Sequence, residues 1–577
     1  MSELVALRKT LIPQCIAAII FGLLVGLAGL ILSTSEFFLA LAGLIIIAAA
    51  LAKVEFALAL LVVAVPLTSV RVNLGPIPID AVTFCTGLVI ASYAIKNLGR
   101  RTEGARTPFT WSFLAFLFFS AVSMVVAPSL SEAALVIVRF IGYFLLVLIV
   151  GQTVKSKETL TWLLILMVVA GAATGLFGIY QYLYAPDTAK IGLYDLTEDV
   201  AARVGSTFGN PNFYAEYLVL MIPIGLALVL GLRGIFRRTY MAAATLLLFV
   251  GLILTYTRGS WMATGIGIVL MSLLTETWLF WVWAALFAAA LIAAPGVASR
   301  LASITDITGG TAGFRMKLWR IASGIIREHP LVGIGIGNYY EAFTEYIFRN
   351  PKQNVGWVMY GAHNSYLTIW AETGIFGILS FILIILVSIK YGLYIMRVKA
   401  QDKYLAWINS AILAGIIGFS LNGLTSNSFH HPQGAVFFWI FLGLQVAVSN
   451  LSPEPAKARL APAVEGSLIL RPFRTALILL KAAVHNHPLY RFTARLNDVW
   501  CKSSIAIWLY REPSVPNFVG GSWVLQYVNN WLERARAWYE NSSFHFLVKE
   551  TAARPVMPAI VFILIAVSAR SLLKVVV

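Results

Sequence analysis

Apolar runs of roughly 17–25 residues, long enough to cross the hydrocarbon core of a bilayer, recur along most of this chain between short polar links. They fall at 11–32, 37–52, 54–70, 81–96, 109–127, 133–151, 159–184, 213–232, 240–257, 259–275, 278–294, 365–389, 404–427 and 432–449. Two neighbouring pairs, 37–52/54–70 and 240–257/259–275, are tightly spaced, so hydropathy predicts about 12–14 spans. The expected fold is an all-α polytopic membrane protein. Lys and Arg in the short links set its orientation. With the N-terminus inside, Arg8/Lys9, Lys53, Lys96/Arg100/Arg101/Arg106, Lys155/Lys157, Arg233/Arg237/Arg238 and Lys390/Arg397/Lys399/Lys403 all fall inside. The nearly uncharged links 33–36, 128–132 and 428–431 fall outside.

Two outer loops are long, 185–212 and 295–364. Apolar residues at helical spacing over 314–328 predict a helix lying over the outer face. Beyond the membrane region 1–450, a Pro/Ala-rich linker at 451–466 leads into a basic tail with Trp500, Trp508, Trp523, Trp531 and Trp538. That tail, 451–577, reads as cytoplasmic and membrane-associated, with 471–484 and 523–538 as helices on the inner surface. The run 556–569 is short for a span and reads as an interfacial anchor.

Composition agrees with the pattern. Of 577 residues, 59% are hydrophobic and 12% charged, and mean hydropathy is +0.82; a soluble domain is nearer one quarter charged. The net charge of +17 follows from basic inner loops and tail, so it does not indicate nucleic acid. Cys15, Cys85 and Cys501 lack paired or metal-ligand spacing and imply no disulfide framework. Residues 11–32 follow Arg8 and Lys9 as a signal sequence would, but are too long for a cleaved segment and read as a first span.

Ionisable groups inside spans are costly and mark functional candidates. Arg139, Glu216, Arg258 and Glu372 qualify, and on this topology each lies in the outer half or at the outer end of its span. Each alone reads as readily as a structural ion pair; four on one side, under two polar loops, favour a site. His363 ends the same outer loop that carries Arg315, Arg320 and Arg327, and imidazole takes a proton near neutral pH. Nine residues of helix place Glu372 half a turn out of phase with His363 and about 13 Å deeper, so Glu372 is expected to pair with an intramembrane arginine. Gly333-Ile-Gly-Ile-Gly337 lacks the Lys-Ser/Thr of a phosphate loop and reads as a tight turn. His430-His431 lacks acidic or thiol neighbours in sequence, and no metal site or cofactor is expected. Arginine forks suit phosphate oxygens and neutralise a diphosphate leaving group without a metal. A lipid-linked diphosphate, with its tail in the bilayer and its head outside, meets that description.

His363-Asn364, nine residues, then Gly374-Ile-Phe-Gly377 resembles the H-[NSQ]-x9-G-x-x-G signature of the O-antigen ligase and polymerase superfamily. Arg203-Val-Gly-Ser-Thr-Phe-Gly-Asn-Pro-Asn212, Thr257-Arg258-Gly259-Ser260-Trp261, and Arg315 through Trp319 to His329-Pro-Leu-Val-Gly-Ile-Gly-Ile-Gly337 resemble further segments of that superfamily, in its order. The resemblance covers roughly 1–450; the tail has no recognised counterpart. It implies a metal-independent, inverting glycosyltransferase of the bacterial cytoplasmic membrane that moves a glycan from an undecaprenyl diphosphate carrier to an acceptor hydroxyl on a glycan, lipid or protein. By position, the resemblance makes His363 the general base and Arg258 and Arg315 the diphosphate clamp. Arg203 and Arg320 would assist, with Asn364, Asn210, Asn212, Glu372 and Arg139 supporting.

Ligase and polymerase share this donor chemistry, and the sequence does not separate them. A flippase or other transporter is the third reading. Transporters place polar groups near the midplane and are often built from internal repeats; neither feature is evident here.

Overall fold

The structure is a computed structural model that describes residues 34–67, 71–74, 77–97, 107–185, 203–276, 278–293, 310–353, 355, 361–398 and 402–452. The expected first span 11–32, most of the loop stretches 185–202 and 295–309, and the tail beyond 452 lie outside the described residues.

The fold is helical. In chain order the helices are α1 (Thr34–Ala52), α2 (Val54–Ala64), α3 (Ala81–Asn97), α4 (Thr110–Ser123), α5 (Leu130–Thr153), α6 (Lys157–Tyr184), α7 (Pro211–Gly231) and α8 (Ile235–Leu254). Then follow α9 (Arg258–Leu274), α10 (Trp278–Ala293), α11 (Gly310–Glu328), α12 (Tyr339–Arg349), α13 (Ser365–Val398), α14 (Lys403–Asn422) and α15 (Pro432–Leu451). Among the described residues, seven helices (α5, α6, α7, α8, α13, α14 and α15) are long and apolar enough to cross a membrane, and six shorter apolar helices accompany them. Both tightly spaced runs resolve into separate helices, α1/α2 and α8/α9. One departure from all-helical structure is an antiparallel hairpin in which Arg71–Leu74 pairs with Ile77–Asp80.

Helices that are apolar all round belong inside a bundle, and those with one apolar stripe belong at its edge. Accordingly α15 and α7 are buried along most of their length, whereas α5, α6 and α8 are about half buried. Helices α5 and α6 turn residues such as Val138, Trp162 and Leu176 outward, as a lipid-facing surface requires. Helix α7 packs on α14 and α8, α15 on α5, α9 on α14, and α13 on α4. Phe113, Phe140 and Tyr143 pack around the buried Trp439 in the core.

The helix expected over 314–328 is present as α11. A second loop helix, α12, joins it, and the two share a small core that includes Leu318, Ile325 and Phe343. Helix α13 breaks at Gly374, with φ 68° and ψ −174°. The break exposes two carbonyls, which accept hydrogen bonds from Ile334 N to Ala371 O (2.9 Å) and Gly335 N to Glu372 O (3.0 Å), while Ile375 N donates to Pro330 O (3.0 Å). The Gly333–Gly337 turn is therefore an anchor that ties the loop carrying α11 and α12 to the break, and its three glycines adopt positive φ.

Candidate active site

The three arginine segments meet at the N-terminal ends of α7 and α9. Asn210 caps α7 by accepting from Asn212 N (2.8 Å), and Pro211 supplies the first helical residue, a position where a missing N–H costs nothing. That cap points Asn212 at Arg203, whose Nη2 donates to Asn212 Oδ1 (2.9 Å) and to Thr257 Oγ1 (3.1 Å). Arg203 Nε donates to Thr255 O (3.1 Å), and Val204 N donates to Leu254 O (3.0 Å). One guanidinium is thus held against the turn between α8 and α9.

Arg258 begins α9 immediately after that turn. Gly259 follows because the helix start passes close to the segment after α14: a Cβ there would lie 2.6 Å from Thr425 Oγ1. Ser260 Oγ donates to Asn422 Oδ1 (2.9 Å), and Asn422 Nδ2 donates to Ser428 Oγ (3.1 Å). Arg315 reaches the same place from the loop helix α11. Arg203, Arg258 and Arg315 line one pocket together with Asn212, Glu216, Thr257, Asn422 and Ser426. Helix N-termini carry partial positive charge and free N–H groups, so the starts of α7 and α9 add to the arginines in favouring an anion.

Glu216 is buried against this cluster, 1% exposed. Its carboxylate accepts from Ser426 Oγ, and its other oxygen takes no hydrogen bond from the described residues.

His363 stands just before α13. Asn364 caps that helix, accepting from Tyr366 N (3.0 Å) and Leu367 N (3.1 Å), and its own N–H donates to Asn427 Oδ1 (3.1 Å). Ser365 N donates to Gly423 O (2.8 Å) and Ser426 O (3.0 Å). These bonds tie the histidine to the same 423–428 segment that borders the arginine pocket. Burial, and then the Arg315 guanidinium, push the His363 imidazole down to about 4. At neutral pH it is the uncharged, proton-accepting form.

Three non-glycine residues among those described have positive φ: Ser206 (49°), Tyr256 (51°) and His363 (45°). Each lies within three residues of Arg203 or Arg258, or is the histidine itself. Strain of this kind costs on the order of 1–3 kcal/mol per residue and collects where geometry is functional.

Not every expected residue joins the pocket. Arg320 is exposed on α11. Five residues from Arg315 amount to about 500° of helix, which turns the two guanidinium groups to different faces. Arg139 is half-buried in α5 and does not line the pocket. Its charge acts on His431, which burial and then the charges of His430, His363 and Arg139 push down to about 3. Glu372 does not pair with an arginine among the contacts described: its Oε2 lies 3.5 Å from His430 Nε2. The nearly uncharged link after α14 instead folds back and brings His430 to the buried carboxylate. His431 packs on Phe213 at 3.8 Å between ring centroids. Among the described residues no group of three or more His, Cys, Asp or Glu is placed to hold a metal ion.

Sequence reasoning missed Tyr256, Asn422, Ser426 and Asn427, and weighed His430 only as a metal ligand. Neighbouring polar residues in the 422–431 link were the available signal, but their partners lie some 60 to 210 residues away, as in Asn427–Asn364 and Ser426–Glu216.

Residues 243–382 match the O-antigen ligase family. The matched stretch carries Arg258, Arg315, His363 and Gly374, while Arg203 and the Asn-Pro-Asn segment precede it. No curated protein matches the chain.

Proposed function

Starting from a membrane protein that carries an O-antigen ligase domain, and hence a ligase- or polymerase-type role in O-antigen biosynthesis, we propose that the chain transfers a glycan from undecaprenyl diphosphate to an acceptor hydroxyl. The observation that carries this reading is the meeting of Arg203, Arg258 and Arg315 in one pocket beside a neutral histidine. The seven long apolar helices and the family match suit the bacterial inner membrane. Lys96, Lys155 and Lys157 stand at helix ends opposite the pocket, and basic residues favour the cytoplasmic side. The pocket then faces outward.

In the proposed reaction His363 accepts the proton of the acceptor hydroxyl as that oxygen bonds to the anomeric carbon. The bond from that carbon to the diphosphate breaks on the opposite face, inverting the configuration. The electron pair leaves on a diphosphate oxygen, where the arginines offset the developing charge. Bound diphosphate also opposes the Arg315 charge at His363, so donor binding raises the proton affinity of the base. Asn212 and Thr257 position Arg203, and Asn364 positions His363.

Arg258→Lys and Arg315→Lys test the clamp, since each keeps the charge and loses the fork. Purified variants with a lipid-diphosphate glycan should transfer at least tenfold more slowly than the natural chain; unchanged rates would remove the arginines from the reaction. In the same assay, longer lipid-linked chains identify a polymerase and transfer to a separate acceptor identifies a ligase.

A further inference from the structure

The end of the bundle farthest from the arginines holds a second cavity. Helix α15 starts next to His431 and ends at Leu451 after 20 residues, about 30 Å along its axis, which matches the hydrocarbon thickness of a bilayer. At that far end a cavity of about 520 Å³ opens between α2, α3, α5 and α15, lined by Glu55, Tyr93, Lys96, Gln152, Lys155 and Asn450 among others. Lys96 Nζ lies 3.3 Å from Glu55 Oε1, and Tyr93 donates to Gln152 Oε1. Two ammonium groups against one carboxylate leave the cavity net positive.

A groove of about 370 Å³ runs on from it, sharing Glu55, Thr153 and Val154, and its remaining wall is mostly apolar, with Leu58, Trp162 and Leu166. A basic, polar chamber at a membrane surface, continuous with an apolar groove down the bundle flank, has the two-part character of a phospholipid. Basic pockets between helices on the cytoplasmic side suit anionic headgroups, and exposed Trp162 stands in the second turn of α6, which starts at Lys157; indole rings near helix ends favour a membrane interface. We propose that this cavity binds an anionic glycerophospholipid of the inner leaflet, with its phosphate between Lys96 and Lys155 and an acyl chain along Leu58 and Trp162. The leaflet assignment rests on the orientation given above; the site itself does not depend on the transfer reaction.

The test uses full-length protein in mild detergent, titrated with phosphatidylglycerol or phosphatidylcholine and read by native mass spectrometry. The natural chain should retain phosphatidylglycerol preferentially. Each lysine near a membrane surface contributes on the order of fivefold in affinity, so Lys96→Gln with Lys155→Gln should lower retention at least tenfold. Glu55→Gln removes the opposing carboxylate and should raise retention; a merely structural Glu55–Lys96 pair would predict a fall. Equal retention of both lipids, or unchanged retention in the double variant, overturns the proposal, including the case in which the chain's own residues fill the cavity. Because no glycan is transferred in this measurement, its failure leaves the reaction proposed above standing.

Discussion

Replacing Gly374 with Ala should do more damage than any other single methyl added to the described chain. At φ 68° and ψ −174° the residue occupies backbone space that is essentially glycine-only, and forcing another residue there costs on the order of 1–3 kcal/mol. The new Cβ would lie 2.0 Å from Leu331 O and 2.7 Å from Val332 N, and backbone atoms cannot rotate away as a side chain can. Relief requires lifting the 330–335 strand of loop off α13, which breaks the bonds made by Ile334 N, Gly335 N and Ile375 N. Each is worth about 1 kcal/mol net, so the sum is about 4–6 kcal/mol, comparable with the whole stability of many domains. Gly87→Ala supplies the control. Gly87 lies within α3 with nothing within 4 Å of an added Cβ, and the same change there should stabilise by about 0.5–1 kcal/mol. Thermal unfolding in detergent, with glycan transfer measured in parallel, compares the two. If Gly374→Ala unfolds no earlier than Gly87→Ala, the loop-to-break anchor is not what holds the loop of α11 and α12 in place.

Asn212→Ala removes an acceptor from the Arg203 guanidinium (2.9 Å); bonds to charged groups are worth about 1.5–3 kcal/mol, so KM for the lipid-diphosphate donor should rise at least tenfold, and an unchanged KM would dissociate Arg203 from donor binding. His363 has its pKa lowered to about 4 in the folded chain from an ordinary 6.5, so the base is already deprotonated well below neutrality. The acid limb of kcat/KM should therefore fall near pH 4, and Arg315→Gln should move it upward by removing a positive neighbour; a limb near 6.5 in the natural chain would contradict the buried setting of His363. The same depression means the unfolded chain holds the extra proton between about pH 4 and 6.5, so this group withdraws stability as pH falls through that window, and His363→Gln should flatten that part of a stability–pH curve.

Hydropathy located the helices because a bilayer demands long apolar segments whatever the packing, and α5 through α15 follow the expected runs closely outside the loop helices α11 and α12. The resemblance assigns Arg203, Arg258 and Arg315 to one diphosphate site, and the three line one pocket. What the sequence concealed depends on tertiary contact. The break at Gly374 lies inside an unbroken apolar run and leaves no trace in a hydropathy average. The 422–431 link carries no acid or arginine, yet its Ser426, Asn427 and His430 bond to Glu216, Asn364 and Glu372. The resemblance groups Arg320 with Arg315, and the phase of α11 separates them.

His363→Gln in purified protein, supplied with an undecaprenyl-diphosphate glycan and an acceptor, tests the central claim most directly. Glutamine keeps a polar side chain and cannot take the hydroxyl proton. Transfer should fall by at least a hundredfold, as loss of a general base does, while donor binding by the three arginines persists. Transfer at the natural rate with donor still bound would show that His363 is not the base.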